Sequence, residues 1–338
     1  MCPKQTFRVL SPDIYWSIRT FILVSVVAFT LSILIYLLSI LFFSQPEIIS
    51  ETIETTAEVS LAKVTTTAQY SSLMISILLY NTIAMVVACT GSAFMLYIHK
   101  LILSEFKVRH GSRFYNQISR IFEQVLKPLI LLYIWVVLKI KPEISNIIRS
   151  ELDGKSNDSV WFCSIYKKED YTLFAYTVPY AVPILVLIAN GTLIGILFAY
   201  TNFINAHAGF VELGLEGAII GIGYAWTFFI SSIVLHGLIE IPVILFAVAI
   251  GYRFAKIQSS AVIENNMFSS DYYNELKKDV NKINEITTNF LMSPYLWTFL
   301  ILGYMFLAMA AFIEVNYTPL LAEWAIDQYY ILIQMRYS

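Results

Sequence analysis

The sequence predicts an all-α fold: a polytopic transmembrane bundle of about five to six membrane-spanning helices, with a re-entrant or broken hairpin before His236. Hydrophobic residues make up 58% of the 338 residues and charged residues only 14%, which leaves too little polar surface for a water-soluble protein. Apolar runs of membrane length recur along the chain, and the run from Gly217 to Gly251 carries one charge, Glu240. Clusters of Lys and Arg follow some of these runs, as expected on the cytoplasmic side of a membrane.

The first two predicted spans form an N-terminal hairpin. The run from Thr20 to Phe43 is uncharged and follows three Lys and Arg residues, so the positive-inside rule places the N-terminus in the cytoplasm. An acidic, Thr-rich loop follows, and we expect it to face outward. The second span, about Leu73 to Ile98, returns to the cytoplasmic side, where a basic cluster begins at Lys100.

The segment 100–175 is predicted to be a cytoplasmic or interfacial insertion. Apolar residues recur in it at helical spacing, with charged residues between them, at Phe114, Ile118, Ile121, Phe122 and Val125. This pattern is typical of a helix that lies in the headgroup plane, and a helix packed on the inner mouth of the bundle is the alternative. The apolar run 129–138 is too short to cross a membrane, which favours an interfacial or re-entrant piece.

The third span, about Tyr176 to Phe203, contains Asn190, Gly191 and Gly195. Small residues four apart allow another helix to approach closely, so this face is expected to pack on a helix or to form a homodimer. The glycine-rich segment 214–235 is interpreted as the re-entrant or broken hairpin, followed by a fourth crossing. A competing interpretation counts both segments as full crossings and gives six spans.

Two further segments complete the chain. The cytoplasmic segment 257–293 has apolar residues spaced alternately by three and four, which predicts partner binding through Tyr273, Leu276, Val280 and Ile283. The alternative is that this helix packs on its own bundle. Pro294 begins the last span, which ends near Glu314, and an aromatic tail follows.

The pattern therefore divides the chain into consecutive segments: 1–99, an N-terminal membrane hairpin; 100–175, the insertion; 176–256, a membrane core; 257–293, a cytoplasmic amphipathic helix; and 294–338, the last span and aromatic tail.

Ionisable residues at membrane depth mark candidate functional sites. His236 and Glu240 are four residues apart, so in a helix they share a face and can hydrogen-bond or exchange a proton. Gly237 and Pro242 weaken a helix at this point, and a broken helix that carries a carboxylate is the architecture in which transporters bind ions.

The alternative is structural: Glu240 caps the broken backbone, and with His236 it locks the hairpin to Asn190 and Asn81. The complete intramembrane polar motif that we predict comprises Asn81, Asn190, Gly191, Gly195, His236, Gly237, Glu240, Pro242, Gly251, Arg253, Glu314 and Pro319.

Enzymatic activity is not predicted, and neither catalytic, cofactor-binding nor metal-binding residues are assigned. The sequence lacks the metalloprotease, nucleophile-elbow and phosphate-loop patterns. A zinc site would need a third ligand beside His236 and Glu240, and the sequence offers no reason for His207 or Glu314 to converge on them. The formal net charge of −2 argues against nucleic-acid binding.

Several segments together resemble the stage II sporulation protein M family of integral membrane proteins. The matching stretches, in chain order, are Leu79 to Asn81, Asn190-Gly191 with Gly195, His236 to Pro242, Gly251 to Arg253, Ala310 to Glu314, and Thr318-Pro319. The resemblance covers about half of the chain. The segments 100–177 and 257–293 are longer than the family pattern leads us to expect.

The resemblance implies a non-enzymatic protein of the cell membrane, since the founding members act in a membrane complex during endospore formation. We expect a multi-pass scaffold or an assembly or remodelling factor, whose partners are membrane lipids and other membrane or peripheral proteins. The alternative is a permease-like or channel-like protein that moves an ion, proton or lipid past His236 and Glu240.

Overall fold

A computed structural model of the protein describes residues 7–43, 68, 72–140, 168–268 and 273–337. Across these residues the secondary structure is helical, without strands, which confirms the all-α fold. Short 3₁₀ turns at Gly91–Phe94 and Val178–Tyr180 interrupt the α-helices. The α-helices are α1 Ser11–Phe43, α2 Leu73–Thr90, α3 Met95–Gly111, α4 Arg113–Ile140, α5 Lys168–Thr177, α6 Ala181–Glu264, α7 Tyr273–Leu291, α8 Pro294–Asn316 and α9 Thr318–Tyr337.

Four segments within the described residues are long and apolar enough to cross a membrane. They are Ser11–Ser39, Leu73–Glu105, Thr172–Glu264 and Pro294–Asn316. The third segment contains α6, in which two helices are joined at Gly214. The structure therefore agrees with a multi-helix membrane protein, while the predicted count of five to six crossings stays a prediction.

Gly214 makes the turn between the two halves of α6. Its backbone angles are φ 66° and ψ −144°, a region that residues with a Cβ atom essentially do not adopt. A Cβ atom added at Gly209 would overlap the backbone of Gly217, and one added at Gly221 would overlap the backbone of Asn205. The two halves thus meet backbone to backbone, as an antiparallel helical hairpin requires.

The helix after Gly214 is continuous through the His236 region. Residues 215–264 are helical, and the non-helical backbone inside α6 is confined to Gly214. Pro242 lies within this helix at an exposed position, where the loss of its N–H removes one intrahelical hydrogen bond without ending the helix. The prediction of a broken helix at the polar motif is therefore wrong, since the chain reverses at Gly214 instead.

The described chain forms two compact units that interleave along the sequence. The first unit comprises the described residues within Met1–Arg8, Cys89–Pro183 and Ile250–Trp297, and the second those within Val9–Ala88, Ile184–Ala249 and Thr298–Ser338. Each unit takes segments from several parts of the chain, and α6 contributes to both. The five consecutive segments predicted from the sequence follow the chain order and do not coincide with these units.

The core of the first unit is built around α7. Leu276 and Ile283 are fully buried and Val280 is nearly so, and they share one apolar cluster with Leu96, Ala175, Val262, Met267 and Phe268. The face proposed for partner binding is therefore covered by the protein's own chain, and the alternative, packing on its own bundle, is what the structure has. The Tyr273 side chain lies outside the described residues.

The second unit packs its helices through small residues. A Cβ atom at Gly191 would lie 3.0 Å from the Val24 side chain of α1, and one at Gly195 would overlap the backbone at Ser25. The close helix approach predicted at these glycines is present, and the partner helix is α1 of the same chain. Because α1 contacts this face, the glycines are explained by packing within the chain, and a homo-oligomer stays a prediction.

Candidate functional site

Three ionisable side chains converge in the second unit. Donor atoms of His236, Glu240 and Glu314 all lie within 4.8 Å of one another. His236 and Glu240 are one turn apart on α6, so the helical period places them on one face, as the sequence predicts. Glu314 comes from α8, two residues before that helix ends at Asn316.

Two polar side chains from further helices contact this cluster. The Asn81 side chain on α2 hydrogen-bonds the Glu240 carboxyl group. Thr318, the first residue of α9, places its Oγ1 3.4 Å from Nδ1 of His236. The same hydroxyl lies 3.4 Å from the Ile313 carbonyl oxygen, to which it donates. Side chains from four helices, α2, α6, α8 and α9, therefore meet at one point.

The three ionisable groups are partly buried, so they are neither sealed in a core nor open on the surface. No Lys or Arg occurs in the sequence ranges 73–90, 217–251 and 294–316, from which the ionisable groups and Asn81 come. The cluster thus concentrates two carboxyl groups and an imidazole in apolar surroundings, without a basic side chain from these ranges. Such a set can share protons, bind a cation or cross-link helices by hydrogen bonds.

Asn190 does not join the cluster by any hydrogen bond of the structure. Its amide donates to the Val186 carbonyl oxygen of its own helix at 2.8 Å. Gly191 and Gly195 contact α1, as described above. The predicted lock between the hairpin and two asparagines is therefore realised through Asn81, while Asn190 satisfies its own helix backbone.

The other predicted motif residues have different positions. Gly237 is buried on α6, where an added Cβ would lie 2.8 Å from the Ile233 side chain, and Pro242 is exposed. Pro319 is exposed at the second residue of α9, a position that suits proline at a helix start. Gly251 and Arg253 belong to the first unit, apart from the unit that holds the cluster.

Glu314 is the residue whose role sequence reasoning missed. The predicted polar motif includes Glu314, but no pattern in the sequence indicates that it meets His236 and Glu240, because that contact depends on how α8 packs against α6. The available signal was chemical: each of the two spans carries one intramembrane glutamate, and buried carboxyl groups need partners. Thr318 follows from the same packing, since α9 begins directly after α8.

Comparison with known proteins identifies a family. The sequence pattern of the stage II sporulation protein M family matches residues 125–319, more than half of the chain. The matched region includes His236, Glu240, Glu314 and Thr318, whereas Asn81 precedes it. No curated protein and no solved structure matches the chain. With its helical architecture and membrane-length apolar segments, the chain belongs to the stage II sporulation protein M family of membrane proteins.

Proposed function

We propose that the protein is a non-enzymatic membrane scaffold that assembles partners or remodels the bilayer, and that α4 is the element with which it acts. The observation that carries this proposal is an uncovered apolar stripe along α4. Its members recur every three or four residues and are between 39% and 73% exposed: Phe114, Ile118, Ile121, Val125, Leu129 and Leu132.

The chemistry of α4 suits a membrane surface. The helix is not among the segments long and apolar enough to cross a bilayer, and Arg113 and Lys127 lie off the apolar stripe. Lys139 near its C-terminus lies over the Trp135 ring, with 4.8 Å between the Lys139 Nζ and the ring centroid. A helix with one apolar face, basic flanks and interfacial Trp inserts its apolar face to the depth of the headgroup boundary. Such insertion displaces lipid on one side of the bilayer, which bends it.

The contrast with α7 supports α4 as the acting element. Both helices are amphipathic, but the apolar residues of α7 are buried within the first unit, whereas those of α4 are exposed. Packing within the chain explains why α7 has an apolar face. The apolar stripe of α4 is exposed, so it still needs an apolar environment, either lipid or a partner.

The position of the polar cluster also supports a scaffold over a transporter. Glu314 lies two residues from the end of α8, which is about 3 Å along a helix. Transporter sites are typically near the bilayer midplane, at breaks in membrane helices. Here the cluster is near a helix terminus, and the helix that carries His236 is unbroken.

Proteoliposome morphology tests this proposal. The double variant Ile121→Ser and Val125→Ser removes the middle of the stripe, and Gln117→Ser with Gln124→Ser is a matched control, exposed on the same helix off the stripe. Wild-type and control proteins are expected to narrow or tubulate vesicles in cryo-electron micrographs, and the stripe variant is not. Wild-type protein that leaves vesicles unchanged and yields no cross-linked partner through α4 would overturn the proposal.

A second candidate function, movement of an ion or proton, is favoured by the convergence of His236, Glu240 and Glu314. Glu240→Gln keeps the shape of the side chain and an oxygen for Asn81, but removes the charge. Under this alternative, flux into proteoliposomes is lost while the protein stays folded. Glu323→Gln, at an exposed position on α9, is the control that should leave flux unchanged. Equal flux in both variants would exclude the alternative.

A further inference from the structure

We propose that His236, Glu240 and Glu314 bind one divalent transition-metal ion of the Zn²⁺ type. The proposal does not depend on whether α4 remodels membranes, because the two features use different residues and different experiments. It also changes the interpretation reached from the sequence, in which a third ligand was missing. Glu314 supplies that ligand.

The donor set selects the class of ion. Imidazole nitrogen suits Zn²⁺ and neighbouring first-row ions, whereas Mg²⁺ and Ca²⁺ prefer sites made entirely of oxygen. One histidine with two carboxylates provides three protein ligands, the number found in open zinc sites that keep a further position for water. The site is therefore expected to discriminate Zn²⁺ from Mg²⁺.

The spacing of the three donors is close to that of a bound ion. For three atoms separated by at most 4.8 Å there is always a point that lies within about 2.8 Å of all three, which is 4.8 divided by √3. Zinc bonds to nitrogen and carboxylate oxygen are roughly 2.0 to 2.2 Å long. Each donor then needs to move inward by less than about 1 Å, which rotation of the glutamate side chains supplies without moving the helices.

Two neighbouring side chains, Thr318 and Asn81, hold the proposed ligands in orientation. Thr318 lies within hydrogen-bond distance of His236 Nδ1, so it can hold one ring nitrogen and the ring orientation while the other nitrogen is left for an ion. The Thr318 proton is directed to the Ile313 carbonyl oxygen, which makes the hydroxyl oxygen an acceptor for the imidazole N–H. Asn81 holds Glu240 by a hydrogen bond in the same manner.

Electrostatics gives the ion a physical reason to bind. Two carboxylates within 4.8 Å repel one another strongly in apolar surroundings, and the ranges 73–90, 217–251 and 294–316 contain no Lys or Arg to offset them. A divalent cation neutralises both carboxylates at once. The partial exposure of all three ligands, and the position of Glu314 near the end of α8, leave a short route for the ion from water.

Metal content of the purified full-length protein tests the proposal. The protein is stripped with chelator in detergent, equilibrated with Zn²⁺ in the presence of excess Mg²⁺, desalted and measured by inductively coupled plasma mass spectrometry. The variants are His236→Gln and Glu314→Gln. Matched controls are His207→Gln and Glu323→Gln, which change exposed residues of the same types.

We expect about one Zn²⁺ per chain in the wild type and in both controls, and near zero in the two ligand variants. Thr318→Val keeps all three ligands but removes the hydroxyl that lies beside His236, so the affinity of the variant for Zn²⁺ should fall about 10- to 100-fold. Wild-type protein that retains no Zn²⁺, or ligand variants that retain as much as the controls, would overturn the proposal.

A second measurement covers the case in which a ligand variant does not fold. Co²⁺ is added to wild-type protein, and its d–d absorption spectrum is compared with that of Co²⁺ in buffer. Bands typical of low-coordinate Co²⁺ that disappear when Zn²⁺ is added support one shared site. A spectrum identical to that of the free ion contradicts the proposed metal site. Neither result depends on whether α4 reshapes vesicles.

Discussion

Replacing Leu276 with Ala is expected to destabilise the first unit by about 3 kcal/mol. Leu276 is fully buried beside Phe268 and the other residues of the α7 cluster, so the truncation removes the contacts of its three outer carbon atoms and leaves a cavity. The helix carries charged residues such as Lys277, Lys278 and Asp279, so we take water as its unfolded reference and apply the full hydrophobic term. Leu291→Ala is the control on the same helix, since Leu291 is 37% exposed, and it should cost about 1 kcal/mol or less.

Thermal unfolding followed with a thiol-reactive fluorescent dye measures this difference. Cys89 is a buried cysteine of the first unit, and the dye reacts with it when the unit opens. Cys2 and Cys163 are first replaced by Ser in every variant, so that Cys89 is the single reporter. Leu276→Ala should unfold well below the wild type and below Leu291→Ala. Equal midpoints for the two truncations would refute burial of the α7 face and restore it as a candidate surface for a partner.

For three other substitutions, the direction of the effect on stability follows from contacts in the structure. Gly195→Ala forces α1 and α6 apart and should cost about 1 to 3 kcal/mol in detergent unfolding, whereas Gly111→Ala, with no atom within 4 Å, should cost little. Burial raises the pKa of Asp279 above its ordinary 3.8, so the folded state holds that proton more tightly. Its contribution to stability is therefore fully present below about pH 3.8 and is lost as pH rises through the folded pKa. Asp279→Asn should flatten that slope in unfolding measured from pH 3.5 upward; an unchanged slope would contradict the assignment. Tyr329→Phe removes the 2.7 Å hydrogen bond to the Ile220 carbonyl and should cost about 1 kcal/mol, and an unchanged midpoint would show that the bond contributes nothing.

The features predictable from sequence are those decided by neighbours along the chain. Helical periodicity indicated the helical fold, the shared face of His236 and Glu240, and the amphipathic patterns of α4 and α7. The small residues Gly191 and Gly195 indicated a close helix contact, because small residues four apart on one helix face let another helix approach closely. None of these inferences requires knowledge of which helix lies beside which.

The features that sequence reasoning missed depend on contacts between distant segments. Gly214, Gly217, Gly221 and Gly223 look equivalent in sequence, and only the fold decides that the turn is at Gly214, where φ is positive. Pro242 predicts a weakened helix, whereas the helix continues through it, because one lost hydrogen bond is a local cost that does not end a long helix. The partner of an amphipathic face is equally undetermined, which is why α7 could be interpreted as an interaction surface.

Different forces stabilise the interior of each unit, and this difference decides what a mutation does in each. Lipid is as apolar as a leucine side chain, so helices of the second unit gain little from burying apolar surface against one another. Their arrangement depends instead on backbone contact at small residues, on hydrogen bonds such as Tyr329 to Ile220, and on the cluster formed by His236, Glu240 and Glu314. In the first unit, α7 is not of membrane type and is held by apolar burial. Replacing the polar side chains that hydrogen-bond should therefore disrupt the second unit most. Truncating buried apolar side chains should disrupt the first unit most. If the cluster binds a metal ion, chelation should loosen the second unit while α7 keeps its protection from hydrogen exchange.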